Sequence, residues 1–319
     1  MSNLKGLKCW LVHSGNAGDA VQCEGIAEKL GLDYKTIKVT DNTIIKNIIS
    51  FFKITKTIEK ETLPKIIIAS GHKSIGLVKR ILNIDNNIYS IYLKNPGYHI
   101  GLFNFVWAPL HDNLNRRNVF STLTSPNKIE KYKINNKYQN FINNYKKPII
   151  GILVGGKSKH FNFGIKEANE LCTSLTKIKK KYSANLIITC SRRTDNKTKD
   201  FIQNYFKDTN DWVWNGQNDN PYNDILNNSD FFIVTSDSIN MISEAATTGK
   251  PIYVYKLPKK KLRIKSVPRK LVIFFKELEN KSIIKWFNGN LEEWTYKAIN
   301  PTQEIANEII IDYNNHIKK

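Results

Sequence analysis

The chain has 319 residues, 41% of them hydrophobic, and a formal net charge of +21. That length exceeds one average domain and suits two of about 150 residues each with a sizeable core. No stretch reaches the roughly 18 consecutive apolar residues of a membrane span. The opening "MSNLKGLKCWLVHSGN" lacks the basic, long-apolar, small-residue order of a secretory signal, so a cytoplasmic protein is expected. Cys9, Cys23, Cys172 and Cys190 are scattered without metal-ligand spacing, which argues against a zinc site or a disulfide framework and for small buried hydrophobes.

The positive charge invites a nucleic-acid reading, because basic surfaces gain affinity through counterion release at phosphates. Lys, Asn and Ile are abundant along the whole chain, however, and no aromatic platform or recognised nucleic-acid motif accompanies them, so no nucleic-acid partner is expected. The sharpest basic cluster is Lys256 to Lys270, "KLPKKKLRIKSVPRK". Its two prolines favour an exposed loop, and the loop suits either an anionic membrane surface or plain solvation.

In chain order the pattern alternates strand and helix. Lys8 to His13 reads as a buried strand, the glycine corner "SGNAGD" follows, and a helix runs near Val21 to Leu30. Leu32 to Val39 fits a strand, Ile44 to Thr57 a helix, Lys65 to Ser70 a strand, and Ile75 to Ile81 a helix. Asn87 to Leu93 and Phe105 to Ala108 read as further strands, and the polar stretch Ser125 to Lys147 carries the domain boundary. The second half repeats the scheme: strand Ile149 to Val154, the turn Gly155-Gly156-Lys157-Ser158, and a helix from about Ile165 to Lys181. Strand Leu186 to Thr189, a helix ending at Phe206, a short strand at Trp212 and Val213, and a helix in "NPYNDILNNSD" come next. Strand Phe231 to Val234 then runs into "TSDSINMISEAATTGKP", a polar corner and helix, before strand Ile252 to Tyr255. Alternation of this kind predicts an α/β fold of two doubly wound, Rossmann-like lobes, with ligands held outside the carboxyl ends of the strands of a central cleft.

The stretches "SGNAGDAVQCEGIAEKLG", "SGHKSIGLVKRI", "NPGYHIGLFNFVWAPLHD", "VGGKSKHFNFG", "TCSRRTD", "NPYNDILNNSDFFIVTSDSINMISEAATTGKPIYVY" and "FNGNLEEW" occur in one order along nearly the whole chain. Together they resemble the mitochondrial fission "elongated mitochondria" family, shared by bacteria and plants, whose bacterial members are regarded as glycosyltransferases of GT-B architecture. The chain departs from that pattern at Gly97, where an Arg usually follows Asn-Pro, and at Leu110, where an acidic residue usually precedes His-Asp. The resemblance implies an acceptor-side lobe at 1–146, a nucleotide-sugar lobe at 147–300 and a C-terminal helix at 301–319 that crosses back. It also implies a nucleotide-diphosphate sugar as donor substrate, with no tightly bound cofactor and no metal. Activity at the inner membrane surface on an envelope or lipid-linked glycan fits it. So does, from a different class, a non-catalytic adaptor that binds a membrane-associated partner.

A metal-independent transferase must neutralise a leaving diphosphate with helix N-termini, N–H groups and cations. Candidates for that donor site are Ser236, Asp237, Ser238, Asn240 and Glu244, the last placed to accept from ribose hydroxyls; the match to the Ser-x-x-Glu region of GT-B enzymes belongs to the resemblance. Arg192 and Arg193 can fork onto a diphosphate. Gly155, Gly156, Lys157 and Ser158 form a further phosphate-suited turn that lacks the P-loop spacing, and no G-x-G-x-x-G follows a strand, which disfavours ATPase and nicotinamide chemistry. For the base that takes the acceptor's proton the candidates are Asp19, which equally suits helix capping, and His111 with Asp112; His13 reads as a packing residue. Gly15, Gly18, Gly71, His72 and Lys73 lie at strand-to-helix corners where an anion or the acceptor can be held.

Overall fold

A computed structural model describes residues 4–39, 63–128, 142, 144–217, 219–260 and 268–318. The predicted helix over 44–57 and most of the polar stretch over 125–147 lie outside them. The chain forms two compact units, Met1–Lys128 with Asn300–Lys319, and Ile129–Ile299.

The first unit is built on a six-stranded parallel sheet of β1 (Lys8–His13), β2 (Asp33–Lys38), β3 (Ile66–Ser70), β4 (Tyr89–Leu93), β5 (Phe105–Pro109) and β6 (Val119–Thr122), in the order β2-β1-β3-β4-β5-β6. β3 and β4 are buried at every residue, as continuous apolar strands covered on both faces must be. One face packs Leu11, Ile68, Ile91 and Trp107 with Cys23, Ile26 and Ala27 of α1 (Ala17–Leu30). The other packs Val12, Ile67, Ala69 and Val106 with Ile75, Val78 and Ile81 of α2 (His72–Ile84). α1 stops at Gly31, whose φ of 69° and bonds back to Ala27 and Glu28 are a glycine C-cap.

The second unit has the mirrored bookkeeping of strands: β7 (Ile149–Val154), β8 (Asn185–Cys190), β9 (Trp212–Val213), β10 (Phe231–Thr235), β11 (Ile252–Tyr255) and β12 (Ile284–Trp286), all parallel in the order β12-β11-β10-β7-β8-β9. Its helices are α3 (Ile165–Tyr182), α4 (Asn196–Phe206), α5 (Tyr222–Asn228), α6 (Ile239–Ala245) and α7 (Arg269–Asn280). Asp195 caps α4 by accepting from the Thr198 N–H at 3.0 Å. α8 (Pro301–His316) packs on α1, β5 and β6 of the first unit. It is fixed there by Ile305, Ala306 and Ile309 in the core and by paired 2.9 Å bonds between Thr302 and the Asn127 backbone.

Both units are thus doubly wound Rossmann-like lobes, as the alternation predicts. Several elements correct the sequence reading. β6 and β12 are short edge strands where no strand is expected. The basic stretch is not a loop throughout: Arg269 and Lys270 open α7, with Pro268 just ahead of the first turn, where its missing N–H costs nothing. Lys259 pairs with Phe161 in an isolated antiparallel bridge, and 261–267 lie outside the described residues. α2 also starts earlier than the apolar spacing indicates, at His72.

In each sheet the winding direction reverses once. β1 leads to β2 on one side and β3 on the other; β7 leads to β8 on one side and β10 on the other. The crevice at such a reversal, outside the carboxyl ends, is where doubly wound folds hold ligands.

Candidate functional site

The reversal in the second unit is lined by the loops that leave β7, β8 and β10. Gly155 and Gly156 follow β7, and their closeness to the neighbouring loops is what demands glycine. A Cβ on Gly155 would stand 2.2 Å from the Asp237 carboxylate and the Ser238 hydroxyl, and one on Gly156 2.2 Å from the Arg193 carbonyl carbon. Their N–H groups donate inward, Gly155 to Thr235 Oγ1 at 2.7 Å and Gly156 to Asp237 Oδ2 at 3.0 Å. Thr194 Oγ1 donates to the Gly155 carbonyl. The turn is therefore a packing joint whose amides are engaged, and not an open phosphate cradle of the kind its glycines alone imply.

Asp237 organises this corner. Its side chain is fully buried, accepts from Thr235 Oγ1 at 2.7 Å and from Ser238 Oγ at 3.2 Å, and pairs with Arg193 Nη2 at 2.7 Å. Arg193 also donates to Ser238 Oγ at 2.9 Å, while 44% of its side chain remains exposed. A buried carboxylate cannot receive a phosphate, so Asp237 is the anion that aims the guanidinium, and Arg193 is the group presented outward. Arg192 is exposed beside it. Ser236 is turned away: it is buried and its hydroxyl accepts from the Leu257 N–H at 3.0 Å, anchoring the chain beyond β11. Ser158 closes its own turn by accepting from the Phe161 N–H at 3.1 Å, and Lys157 and Asn240 point to solvent.

Glu244, on α6, is bonded by the Tyr222 hydroxyl of α5 at 2.6 Å. Burial pushes its carboxyl up to about 7, against the opposing hydrogen bond from Tyr222. The Tyr222 hydroxyl is in turn pushed up by burial and by the Glu244 charge. Tyr222 is thus a site partner that sequence reading does not reach.

In the first unit Asp19 lies three residues into α1 and is 3% exposed. Its carboxylate accepts from Ser14 Oγ at 2.9 Å, Asn16 Nδ2 at 3.4 Å and Ser70 Oγ at 3.3 Å, and is paired with Lys94. Burial alone would raise its pKa, but the hydrogen bond and charge of Lys94, with Ser14 and Asn16, outweigh burial and hold it below the ordinary carboxylate value. It is neither a simple helix cap nor an open base. Gly71, with φ of 83°, lies against the same cluster: a Cβ there would stand 2.9 Å from Ser14 Oγ and 3.1 Å from Asp19 Oδ2. His72 and Lys73 are exposed at the start of α2. Gly15 turns the exposed corner after β1 with φ of 84°, and Gly18 sits in the first turn of α1. His13 is buried beneath, its Nδ1 accepting from the Gly15 N–H at 3.1 Å, and burial keeps its imidazole below the ordinary value.

His111 and Asp112 lie in the one-turn segment Leu110–Asp112 that leaves β5, two strands along the same edge, with His111 Nε2 3.9 Å from Asp112 Oδ1. On the turn after β4, Tyr98 is 91% exposed and its ring packs on His99 with centroids 3.9 Å apart. Among the described residues no group of three or more His, Cys, Asp or Glu is arranged to hold a metal ion, and no helix is long and apolar enough to cross a membrane. Three cysteines are buried and Cys190 is half-buried; burial pushes the Cys9 and Cys172 thiols up to about 12, so they carry no thiolate at neutral pH.

The sequence model described as "Mitochondrial fission ELM1" matches residues 17–313. The chain belongs to the mitochondrial fission ELM1 family. The Arabidopsis thaliana member, mitochondrial fission protein ELM1, is 26% identical over 299 residues, which cover 83% of this chain and 67% of the plant protein. Solved structures similar to the ELM1 family chain share its two-lobed, doubly wound fold. A UDP-GlcNAc 2-epimerase from Neisseria meningitidis, bound to UDP-GlcNAc, superposes with a TM-score of 0.51 at 14% identity over 96% of this chain and all of that one. UGT2 of Phytolacca americana, complexed with UDP-2-fluoro-glucose and pterostilbene, gives 0.52 at 8% identity over 97% and 94%. At such identities the likeness is one of fold.

Proposed function

We propose that the protein is a metal-independent glycosyltransferase of the GT-B class whose second unit binds a nucleoside-diphosphate sugar. The observation that carries this reading is Arg193, clamped by Asp237 and Ser238 at the strand-order reversal and still 44% exposed. A guanidinium with its orientation already fixed loses little freedom on meeting a diphosphate and can neutralise it as it leaves. Glu244, with Tyr222, supplies an acceptor for ribose hydroxyls. The UDP sugars held by the similar epimerase and UGT2 support the choice of ligand class.

In this reading the first unit takes the acceptor. Asp19 is already engaged with Lys94, so we assign the proton to His111, with Asp112 beside it. The acceptor oxygen forms a bond to the anomeric carbon, its proton passes to His111, and the bond to the diphosphate breaks with the electron pair leaving on the nucleotide. The basic run Lys256 to Lys270 would hold the protein, from the cytoplasmic side, against an anionic membrane carrying a lipid-linked or envelope glycan.

A second reading, a binding protein of the fission family without turnover, is favoured by the inward engagement of the Gly155 and Gly156 amides. Thermal unfolding with UDP and UDP-GlcNAc, paired with an assay for UDP release, separates the two. A ligand at 100 times its Kd adds about 2.7 kcal/mol, a rise of roughly 5–10 °C for a unit of this size. The Arg193→Gln variant is expected to lose most of that rise and Arg192→Gln little. UDP release supports the transferase, whereas no stabilisation by either ligand overturns it and leaves the binding protein.

A further inference from the structure

The strand-order reversals of the two units carry the same device, and only one of them is accounted for by the donor reading. In the second unit a fully buried Asp237 holds a cation, Arg193, that is 44% exposed. In the first unit a buried Asp19, its side chain 4% exposed, holds a cation, Lys94, that is 41% exposed. Lys94 leaves the end of β4, one strand from the reversal between β1 and β3.

Three features set Lys94 apart from a counter-ion that merely neutralises a buried acid. Its backbone has φ of 96°, a left-handed region that is strained for a non-glycine residue. Glycine would relieve that strain, so the side chain must offset it. The Asp19 carboxylate already accepts from Ser14, Asn16 and Ser70, whereas the Lys94 ammonium has three N–H donors and a large exposed surface to direct elsewhere. The corner is also electropositive beyond the pair. A Cβ on Gly71 would meet Ser14 and Asp19, and from this glycine α2 opens over thirteen residues with no side-chain cap, carrying the exposed His72 and Lys73. The helix terminus adds its partial positive charge beside the Lys94–Asp19 pair.

We infer that Lys94, aimed by Asp19, binds a phosphoryl group at the first unit's reversal. The ligand is a phosphate monoester or diphosphate, and its assignment to a sugar-phosphate acceptor rests on the proposed function. Asp19 is the positioning residue and Lys94 the contact. The phosphoryl contact itself stands on the geometry of the first unit alone and is independent of the assignment of Arg193.

The test is titration of the full chain with pyrophosphate, glucose 1-phosphate and glucose, followed by calorimetry at fixed ionic strength. Because Lys94→Gln alone strands a buried charge and can fail to fold, the principal variant is the double Asp19→Asn, Lys94→Gln, which removes both charges and keeps the shapes. Wild type is expected to bind pyrophosphate or glucose 1-phosphate saturably and glucose not at all. The double variant is expected to bind at least tenfold more weakly, and Lys94→Arg to keep most of the affinity. UDP and the phosphate compound are expected to bind together; competition between them overturns the assignment to the acceptor. Equal affinity in wild type and double variant, or no binding by either at millimolar concentration, overturns the proposal.

Discussion

Glu244 makes the stability of the second unit depend on pH in a direction opposite to most carboxylates. Its folded value, about 7, lies above the ordinary 4.5. The sign follows: the contribution is fully present below about 4.5 and is lost as pH rises through about 7, because the folded state then has to hold a buried charge. The span between those values corresponds to about 3 kcal/mol at ~1.36 kcal/mol per tenfold. The side chain retains some solvent contact and keeps its bond from Tyr222, so about 1–3 kcal/mol is the sensible range. For a unit of this size that is a fall of roughly 2–10 °C in Tm. The assay is thermal unfolding of wild type and Glu244→Gln at steps from pH 5 to pH 9. The two should differ least at and below pH 5, and the variant should gain on wild type progressively from about pH 5 to pH 7 and hold that gain above it. A ligand hydroxyl that donates to Glu244 favours its ionised form, so UDP should bind wild type more tightly at pH 8 than at pH 6 and lose that dependence in the variant. Parallel Tm curves across the whole range would refute the placement of a buried, raised carboxyl at 244.

Two further outcomes complete the set. Gly155→Ala puts a methyl 2.2 Å from Asp237 and Ser238, and should cost about 1–3 kcal/mol and loosen Arg193, read as a lower Tm together with weaker UDP binding. Vesicles containing anionic lipid should co-sediment the protein at low salt and release it at 1 M, where the Debye length falls to about 3 Å; changing Lys259, Lys260, Lys261 and Arg263 to Gln should abolish most of that binding, and equal binding by the quadruple variant would return the charge to mere composition.

The strands that were legible are those that a parallel sheet buries on both faces, because continuous runs such as "IIIAS" admit few other readings. β6 and β12 escaped for the complementary reason: three or four residues at a sheet edge, one partner each, and little apolar signal. α7 was hidden by Pro268, which reads as a breaker from the sequence but stands just outside the first turn. The sequence located the corners of the candidate site, since Gly71, Gly155 and Ser238 each follow an apolar strand. What each corner residue touches was not local. Arg193 meets Asp237 across 44 positions, Lys94 meets Asp19 across 75, and Tyr222 meets Glu244 across 22. Such partners share no periodicity or spacing; only the sheet order brings them together. The local sign for Lys94 is its place between a buried strand and an Asn-Pro-Gly turn.

The attachment of α8 to the first unit has a consequence for how the molecule is made. The ribosome delivers β1 to β6 first, but the apolar surface that Ile305, Ala306 and Ile309 cover on α1 and the sheet has no native cover until some 170 further residues, the whole of unit Ile129–Ile299, have been synthesised. At about 5–20 residues per second that interval is on the order of ten seconds or more. The second unit, contiguous in sequence, can close before the first is finished. The nascent chain therefore carries an unfinished apolar face through half its synthesis, and chaperone occupancy during translation should peak on the first unit and end when α8 emerges.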